Sequence, residues 1–483
     1  MKKGIPQIKI PIRQSELTIE AVEPYLNSIF AQFQQNADAI KTDYEKYCLN
    51  HTILSKVRPH GDTDINNVVL VPDLKAMVDW KTGYTFGNPI KYAQSKTIDT
   101  DDINYLNKYA RNVCQRAVDK EVGKWAYATG VGYYFIEPRS DEFKIENEAP
   151  YLLYNRRSDT CVKVYSSYGS CPALFDILYT TYTKVQDGHE KEVGLYDIYF
   201  TDMLYTYEMD VLTKQFTLIS KDDRGVAKPL PLVEKRCNTD GIGIVAMGET
   251  LQNSIDKLLS NGLDNVEDIV NEIFVYKNVN LGKTPEEQAE NHQKMKKSGA
   301  VILNGGNKDA PADLDTISTK LSLSEVRELF ALIDAKFHSS LGVPMEMSNT
   351  NSGGTTKSGS EVANGYDNAY NRALDDINTF LVADTELLNK IMWICKNTTN
   401  NKINNLEASD IEIKYSLNLT DNILTKTQSY VNLVSSGVPH TIALRLCKLS
   451  NDPEAEGKII EDYIANKQQM ALQQATTVNN SQE

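Results

Sequence analysis

The string that most invites a chemical reading is Gly353-Gly354-Thr355-Thr356-Lys357-Ser358, a glycine-rich stretch with one lysine that leads into a helical pattern. Backbone amides and a lysine arranged this way can cradle phosphates, as a Walker A loop does. That motif needs glycine directly before its lysine and a buried strand ahead of the loop. Here Thr356 precedes Lys357, and the segment ahead is a helical stripe that stops at Gly342 and Pro344. No apolar run ending in Asp offers a Walker B partner. A nucleotide-binding enzyme using residues 353–358 therefore stands behind the plainer reading, a flexible polar loop.

Other reactive types are scattered. The seven cysteines (Cys48, Cys114, Cys161, Cys171, Cys237, Cys395, Cys447) include no C-x-x-C pair, and the six histidines form no H-E-x-x-H. Metal sites and disulfide frameworks use regular spacing, so neither is expected. Asp101-Asp102 and Asp375-Asp376 are adjacent, and helical neighbours point about 100° apart, so neither pair shares a site. No catalytic residue, no metal site and no cofactor is expected, and the chain does not read as an enzyme. Two charge patterns remain. Lys294, Lys296 and Lys297, beside His292, form a basic cluster that is either a solvated face or a contact for a partner. Residues 250–276 lean acidic, with Asp256, Asp264, Glu267, Asp268 and Glu272 against Lys257.

The elements that must carry these residues follow from periodicity. The chain has 483 residues, and 51 Lys+Arg against 65 Asp+Glu give a net charge of −14. That balance has no global footprint for gripping a nucleic-acid backbone, although it says nothing of where the charge sits. No apolar run approaches the ~20 residues of a membrane span. The opening MKKGIPQIKIPIRQ lacks the apolar core of a secretory signal. The sequons at Asn50, Asn397 and Asn418 read as chance, and a cytoplasmic location is expected.

The first 56 residues read as helical, on Val22, Leu26, Ile29, Phe30, Phe33, Ile40, Tyr44 and Tyr47. A β-branched run and a short helix follow from Val68, and residues 101–128 are helical again. Residues 131–235 are short Tyr-, Val-, Ile- and Thr-rich segments punctuated by Gly, Asn and Asp, the pattern of antiparallel strands. Leu251, Ile255, Leu258, Leu259, Leu263, Val266, Ile269, Val270 and Ile273 make one helical stripe. Ser322 and Glu325 form a capping box for a second, through Val326, Leu329, Phe330, Ile333, Phe337 and Leu341. Met347–Ser360 has no apolar residue after Met347 and reads as a mobile loop. A helix from about Glu361 to Cys395 follows, then small helices over 421–465 and a Gln/Asn-rich tail.

Set in order, these segments resemble the siphophage-type portal proteins of tailed double-stranded DNA bacteriophages. Val78–Tyr92, VDWKTGYTFGNPIKY, is similar to that family's VDxxTGYxFGxPxxY segment and is the most specific match. Asp43–Leu54 (DYEKYCLNHTIL) resembles its YYxGxHxIL segment. Leu204–Asp210 (LYTYEMD) resembles a tyrosine-rich strand, and Asp264–Phe274 (DNVEDIVNEIF) the end of its first stem helix. Leu341–Pro344 (LGVP) is similar to the end of the second stem helix, and Asn451–Glu456 (NDPEAE) to a motif near the crown. Gly359–Ala363 matches the usual Gly-x-Ala continuation only loosely.

The resemblance implies an α+β, multi-domain portal fold and a ring of about twelve subunits around a channel for DNA. It maps 1–249 to a mixed α/β wing, 250–276 and 320–344 to a two-helix stem, and 277–319 to a small α/β clip. It further maps 345–360 to a tunnel loop, 361–420 to a long wing helix and strand, and 421–483 to a helical crown and tail. On this mapping Asp256, Asp264, Asp268 and Glu272 are expected to line the channel and repel phosphate, so that DNA slides with little adhesion. Asn349, Asn351, Ser352, Thr355, Thr356, Lys357 and Ser358 are expected to meet DNA without reading bases. Lys294, Lys296 and Lys297 are expected to dock the packaging motor or a neck protein. The implied partners are further copies of the chain, double-stranded DNA, the large terminase, the major capsid and scaffold proteins, and a head–tail adaptor, with no membrane. The implied location is the capsid portal vertex, after assembly in the host cytoplasm. A different neck or scaffold component of the virion is the alternative.

Overall fold

The computed structural model describes residues 4–57, 65–94, 102–139, 148–186, 189–210, 216–225, 228–270, 273–277, 282–298, 306–307, 310–311, 313–317, 323–344, 359–398, 403, 406–418, 423–447, 449–450, 453 and 456–467. The fold is α+β, and the chain divides into two compact units. One comprises Met1–Ile40, Val78–Gly243 and Glu346–Glu483, the other Lys41–Met77 and Ile244–Met345.

The first unit holds the expected strands. A six-stranded sheet runs in the order Ile8–Ile10, Cys161–Ser166, Ala173–Gln186, His189–Tyr199, Met203–Asp210, Phe216–Asp223. Its first pair is parallel and the rest are antiparallel. The expectation of helix throughout the first 56 residues fails at this edge strand. Ile8, Ile10 and Ile12 recur at two-residue steps, a strand period, and all three are buried. The helix Leu26–Tyr47 lays Leu26, Ile29, Phe30 and Phe33 on the sheet. The Phe30 ring sits 4.4 Å from the rings of both Tyr196 and Phe216.

A second core of this unit forms where the helix Gly359–Lys396 crosses a three-stranded sheet of Leu232–Arg236, Val131–Pro138 and Tyr151–Arg156. Ala383, Leu387, Leu388 and Ile391 meet Tyr134, Ile136, Leu153 and Val233 there. The expected helix over 101–128 is two helices, Asp102–Asn112 and Gln115–Thr129, broken at Cys114, whose φ of 53° no helix continues. The VDWKTGYTFGNPIKY stretch ends the helix Asp73–Phe86 and begins the strand Lys91–Gln94. Its Phe86 ring packs on Tyr127, Phe380 and Tyr415. A Cβ at position 123 would fall 2.2 Å from that ring, so only glycine admits it.

The second unit is built on two helices, Ile244–Val270 and Leu323–Leu341. They pack where Gly248 has no side chain: a Cβ there would lie 2.8 Å from Leu74 and from Phe337. Phe337 and Leu341 are buried at this contact, each contributing roughly 2–3 kcal/mol. The stripe read as helix through 276 ends at Val270. Ile273–Lys277 is instead a strand paired antiparallel with Asp313–Ile317, as its run of β-branched and aromatic residues favours. The helix Pro285–Ser298 and a short pair, Gly306–Asn307 with Ala310–Pro311, complete the described part of this region. Ser322 of the capping box and the tail after residue 467 lie outside the described residues.

Candidate functional site

In the second unit, the helix Ile244–Val270 carries polar residues at a strict four-residue step: Gln252, Asp256, Ser260 and Asp264. All four are buried. They face an extended stretch, residues 65–72, and the start of the helix behind it; the stretch has no strand partner among the described residues. Asp264 accepts from the Asn67 amide N–H at 2.7 Å, Ser260 Oγ from Val69 at 2.9 Å, and Asp256 Oδ1 from Val71 at 3.0 Å. Gln252 accepts from the Leu74 amide at 3.1 Å and donates to the Val71 carbonyl at 2.8 Å. The match is metric. Four helical residues advance about 6 Å and two extended residues about 6.7 Å, so the N–H groups of Asn67, Val69 and Val71 meet successive turns. The helix thus acts as the neighbouring strand that this backbone lacks.

Two basic side chains close the ladder. Lys56 Nζ lies 2.6 Å from Asp264, and His51 Nδ1 lies 2.8 Å from Asp256 Oδ2. Burial works against the charge of Asp264, but Lys56 and the Asn67 amides hold its carboxyl below the usual range.

This geometry corrects the channel assignment for two of four acids. Asp256 and Asp264 point into the unit, at 0% and 3% exposure, and are spent on backbone amides, His51 and Lys56. They do not form a repelling wall. The cause is the same helical period that exposes a charge: a carboxylate every four residues serves an extended chain as well as it serves solvent. Glu267 on the same helix is exposed. The side chain of Asp268 and all of Glu272 lie outside the described residues.

The apolar stripe of the helix pair is only half used. Leu263, Val266, Leu329 and Leu332 are 42–58% exposed. Val69, Leu258, Leu259, Gly262, Leu263, Val266 and Val326 line an apolar groove of about 300 Å³. Contiguous apolar surface of this kind marks a contact face.

The first unit buries its own charges where the long helix meets the strands. Lys235 Nζ lies 2.7 Å from Asp384 Oδ1 and within 5.0–5.8 Å of the rings of Phe86, Phe380, Tyr134 and Tyr415. Tyr415 donates to Asp384, and Tyr134 donates to Asp119 at 2.9 Å. Burial, reinforced by Asp384 against the pull of Lys235, raises Asp119 to about 7. Nearby, Lys163 and Lys390 both pair with Glu386. Against the cost of burial, they hold Glu386 at about 2. Burial, with Lys163 adding repulsion, lowers Lys390 to about 8. Lys390 also donates to the Leu232 carbonyl at 2.6 Å, and the Leu232 amide donates to Asp176 at 2.7 Å. Glu386 and Lys390 are four apart on one helix, but Lys235, Lys163 and Asp176 gave no signal in the sequence, since their partners lie more than 50 residues away.

Of the remaining expected sites, Lys294 is exposed on the helix Pro285–Ser298 and pairs with Glu290 at 2.7 Å. Lys296 and Lys297 lie on that helix, their side chains outside the description. The loop residues Asn349, Asn351, Ser352, Thr355, Thr356, Lys357 and Ser358 lie outside the described residues. The helix behind them begins at Gly359. Among the described residues, no cluster of His, Cys, Asp and Glu is placed to hold a metal ion, and no helix is long and apolar enough to cross a membrane.

Comparison with known proteins gives one family. The family model described as phage portal protein, SPP1 Gp6-like, matches residues 26–472. Among solved structures, the chain is similar to one described as "Neck of empty GTA particle computed with C6 symmetry". The two share 12% identity over 78% of this chain and 88% of that one, with a TM-score of 0.43. No curated protein matches.

Proposed function

We propose that this chain, which belongs to the SPP1 Gp6-like phage portal protein family, forms a ring of about twelve copies whose central channel passes double-stranded DNA. The family is structural and its place is the phage particle. The finer reading is a conduit at one capsid vertex through which DNA is packaged, retained and ejected, with movement driven by a separate ATPase. The family match over residues 26–472 carries this reading. The half-exposed stripe of Leu263, Val266, Leu329 and Leu332 supports it, because a neighbouring copy would cover a face that one chain leaves wet.

In this ring Ile244–Val270 and Leu323–Leu341 are the stem, and the segment between them is the clip. Residues 345–358 are the tunnel loop, Gly359–Lys396 the long wing helix, and 421–483 the crown. With Asp256 and Asp264 turned inward, Asp268 and Glu272 are the acids of that set left to face the channel and to keep DNA from adhering to it. The loop, with Lys357 its one cation, meets DNA without reading bases. Lys294, Lys296 and Lys297 dock the large terminase or the head–tail adaptor. Capsid and scaffold proteins meet the wing.

The test is DNA packaging into proheads carrying variants. Deletion of 349–358 is expected to impair packaging or retention while leaving head assembly intact. Charge reversal at Lys294, Lys296 and Lys297 is expected to weaken motor or adaptor binding. Normal packaging, retention and ejection by the deletion would remove the loop's role, and normal motor and adaptor binding by the reversal would remove the clip's.

A further inference from the structure

The helix Gly359–Lys396 starts directly behind the polar loop, so its position along its own axis sets where that loop ends. N-terminal to Asp376, the buried side chains described on this helix are Ala369 and Ala373. Two methyl groups leave a helix free to slide or turn, because register comes from larger, shaped or directional contacts. Asp376, about 25 Å from the helix start, makes a directional contact. Its Oδ2 accepts from Lys81 Nζ at 2.9 Å and from the Tyr127 hydroxyl at 3.0 Å. The single hydroxyl proton of Tyr127 goes to Asp376, so Thr85 Oγ1 is the donor in its 2.9 Å contact with Tyr127. Lys81 and Thr85 are four apart on the helix Asp73–Phe86, which puts them on one face and closes a circuit of four side chains from three helices. The Lys81 ammonium also lies 5.1 Å over the Tyr127 ring. The Lys81 and Asp376 side chains are only 11% and 19% exposed. In the VDxxTGYxFGxPxxY pattern, Lys81 and Thr85 both fall at open positions, so the circuit is a feature of this chain rather than of the shared segment.

We propose that Lys81 is a positioning residue: through Asp376 it fixes the register of the helix Gly359–Lys396, and with it the loop that precedes that helix. Setting register is the best-attested use of a buried polar pair. Lys81 supplies charge and reach, Tyr127 adds a second donor on the same oxygen, and Thr85 holds the Tyr127 hydroxyl in line. The consequence for DNA rests on the reading of residues 345–358 as the tunnel loop, whereas the register does not.

Hydrogen exchange of the full-length protein, followed by mass spectrometry, tests the register. Lys81→Met is expected to speed exchange at least about tenfold in peptides over residues 369–376. Peptides over 385–395 and over the strand Ala173–Gln186 are expected to stay unchanged. Lys81→Arg, which keeps the charge and the donors, is expected to match the unaltered protein throughout. Lys81→Met with Asp376→Asn strands no carboxylate and gives the same readout if Lys81→Met alone does not fold. Unchanged exchange over 369–376 would overturn the proposal, because the contact would then hold nothing in place. Exchange raised equally in all three segments would also overturn it, by giving Lys81 a role in general stability alone. DNA packaging into proheads reads the consequence: a loss is expected with Lys81→Met and none with Lys81→Arg. Normal packaging by Lys81→Met rings whose exchange is raised over 369–376 would overturn the link to the loop. Absence of rings from the unaltered protein would count against the portal reading, and the exchange comparison would still decide the register.

Discussion

His51 Nδ1 sits 2.8 Å from Asp256 Oδ2, with both side chains withdrawn from solvent. The other carboxylate oxygen takes the Val71 amide and the Gln252 side chain, each at 3.0 Å. Asp256 therefore saturates three donors from three places in the chain. This is a structural use of an acid that its position on an acidic helix does not advertise. Asp256→Ala leaves those donors buried and unpaired, and should lower the unfolding free energy by roughly 3 kcal/mol. Glu267→Ala, on the exposed face, should change it by less than about 0.5 kcal/mol. Denaturant unfolding of the two variants distinguishes them. Equal small effects would return Asp256 to the channel.

The ladder makes a prediction of alternation. Asn67, Val69 and Val71 donate their amides to helix side chains, so they should resist hydrogen exchange although no strand pairs with them. Asn66 and Val68 should exchange quickly. Asp264→Ala should speed exchange at Asn67 far more than at Val71, and residue-resolved hydrogen exchange reads this directly.

Asp119 is held up to about 7 chiefly by burial. A carboxyl whose folded pKa lies above its unfolded value binds its proton more tightly in the folded state. Its stabilising contribution is full below the unfolded value near 4 and is lost as pH rises through about 7. Asp119→Asn should therefore flatten the decline in stability between about pH 4 and 7 and gain at least about 1 kcal/mol at pH 8. Asn keeps an acceptor for the Tyr134 hydroxyl. Unfolding midpoints across that range test the sign.

Lys235 is wholly buried among four rings and paired with Asp384. Lys235→Met should cost about 3–5 kcal/mol, because it strands a buried carboxylate. Adding Asp384→Asn should recover part of that loss. A double-mutant cycle on thermal unfolding measures the coupling, and additive losses would show that the pair is not a unit.

Much of this architecture was legible in the chain. The strands between 131 and 235 and the long helix near 361–395 follow from two- and four-residue apolar periods. The VDWKTGYTFGNPIKY stretch pointed to the family. What was misread shares one physical cause. A period states which residues share a face, not what covers that face. Gln252, Asp256, Ser260 and Asp264 are four apart, which was open to view, but only the Asn67–Leu74 backbone shows that the face is inside. Likewise Ile8, Ile10 and Ile12 carried a strand period beside a strong helical one. Lys235 gave no signal, since Phe86, Tyr134, Phe380 and Asp384 lie about 100 or more residues from it in the sequence.

The exposed stripe should hold copies together rather than hold one chain together. Leu263→Asp with Leu329→Asp is expected to abolish oligomers in sedimentation, with the monomer's melting temperature changed by no more than a few degrees. Loss of folding in that variant would mark the stripe as core.

Electron microscopy of the purified full-length protein tests the central claim most directly. Closed rings with an axial hole wide enough for duplex DNA are expected, and they should fall apart into folded single chains on the Leu263→Asp, Leu329→Asp substitution. Uniform monomers or open filaments across all concentrations would contradict a portal ring.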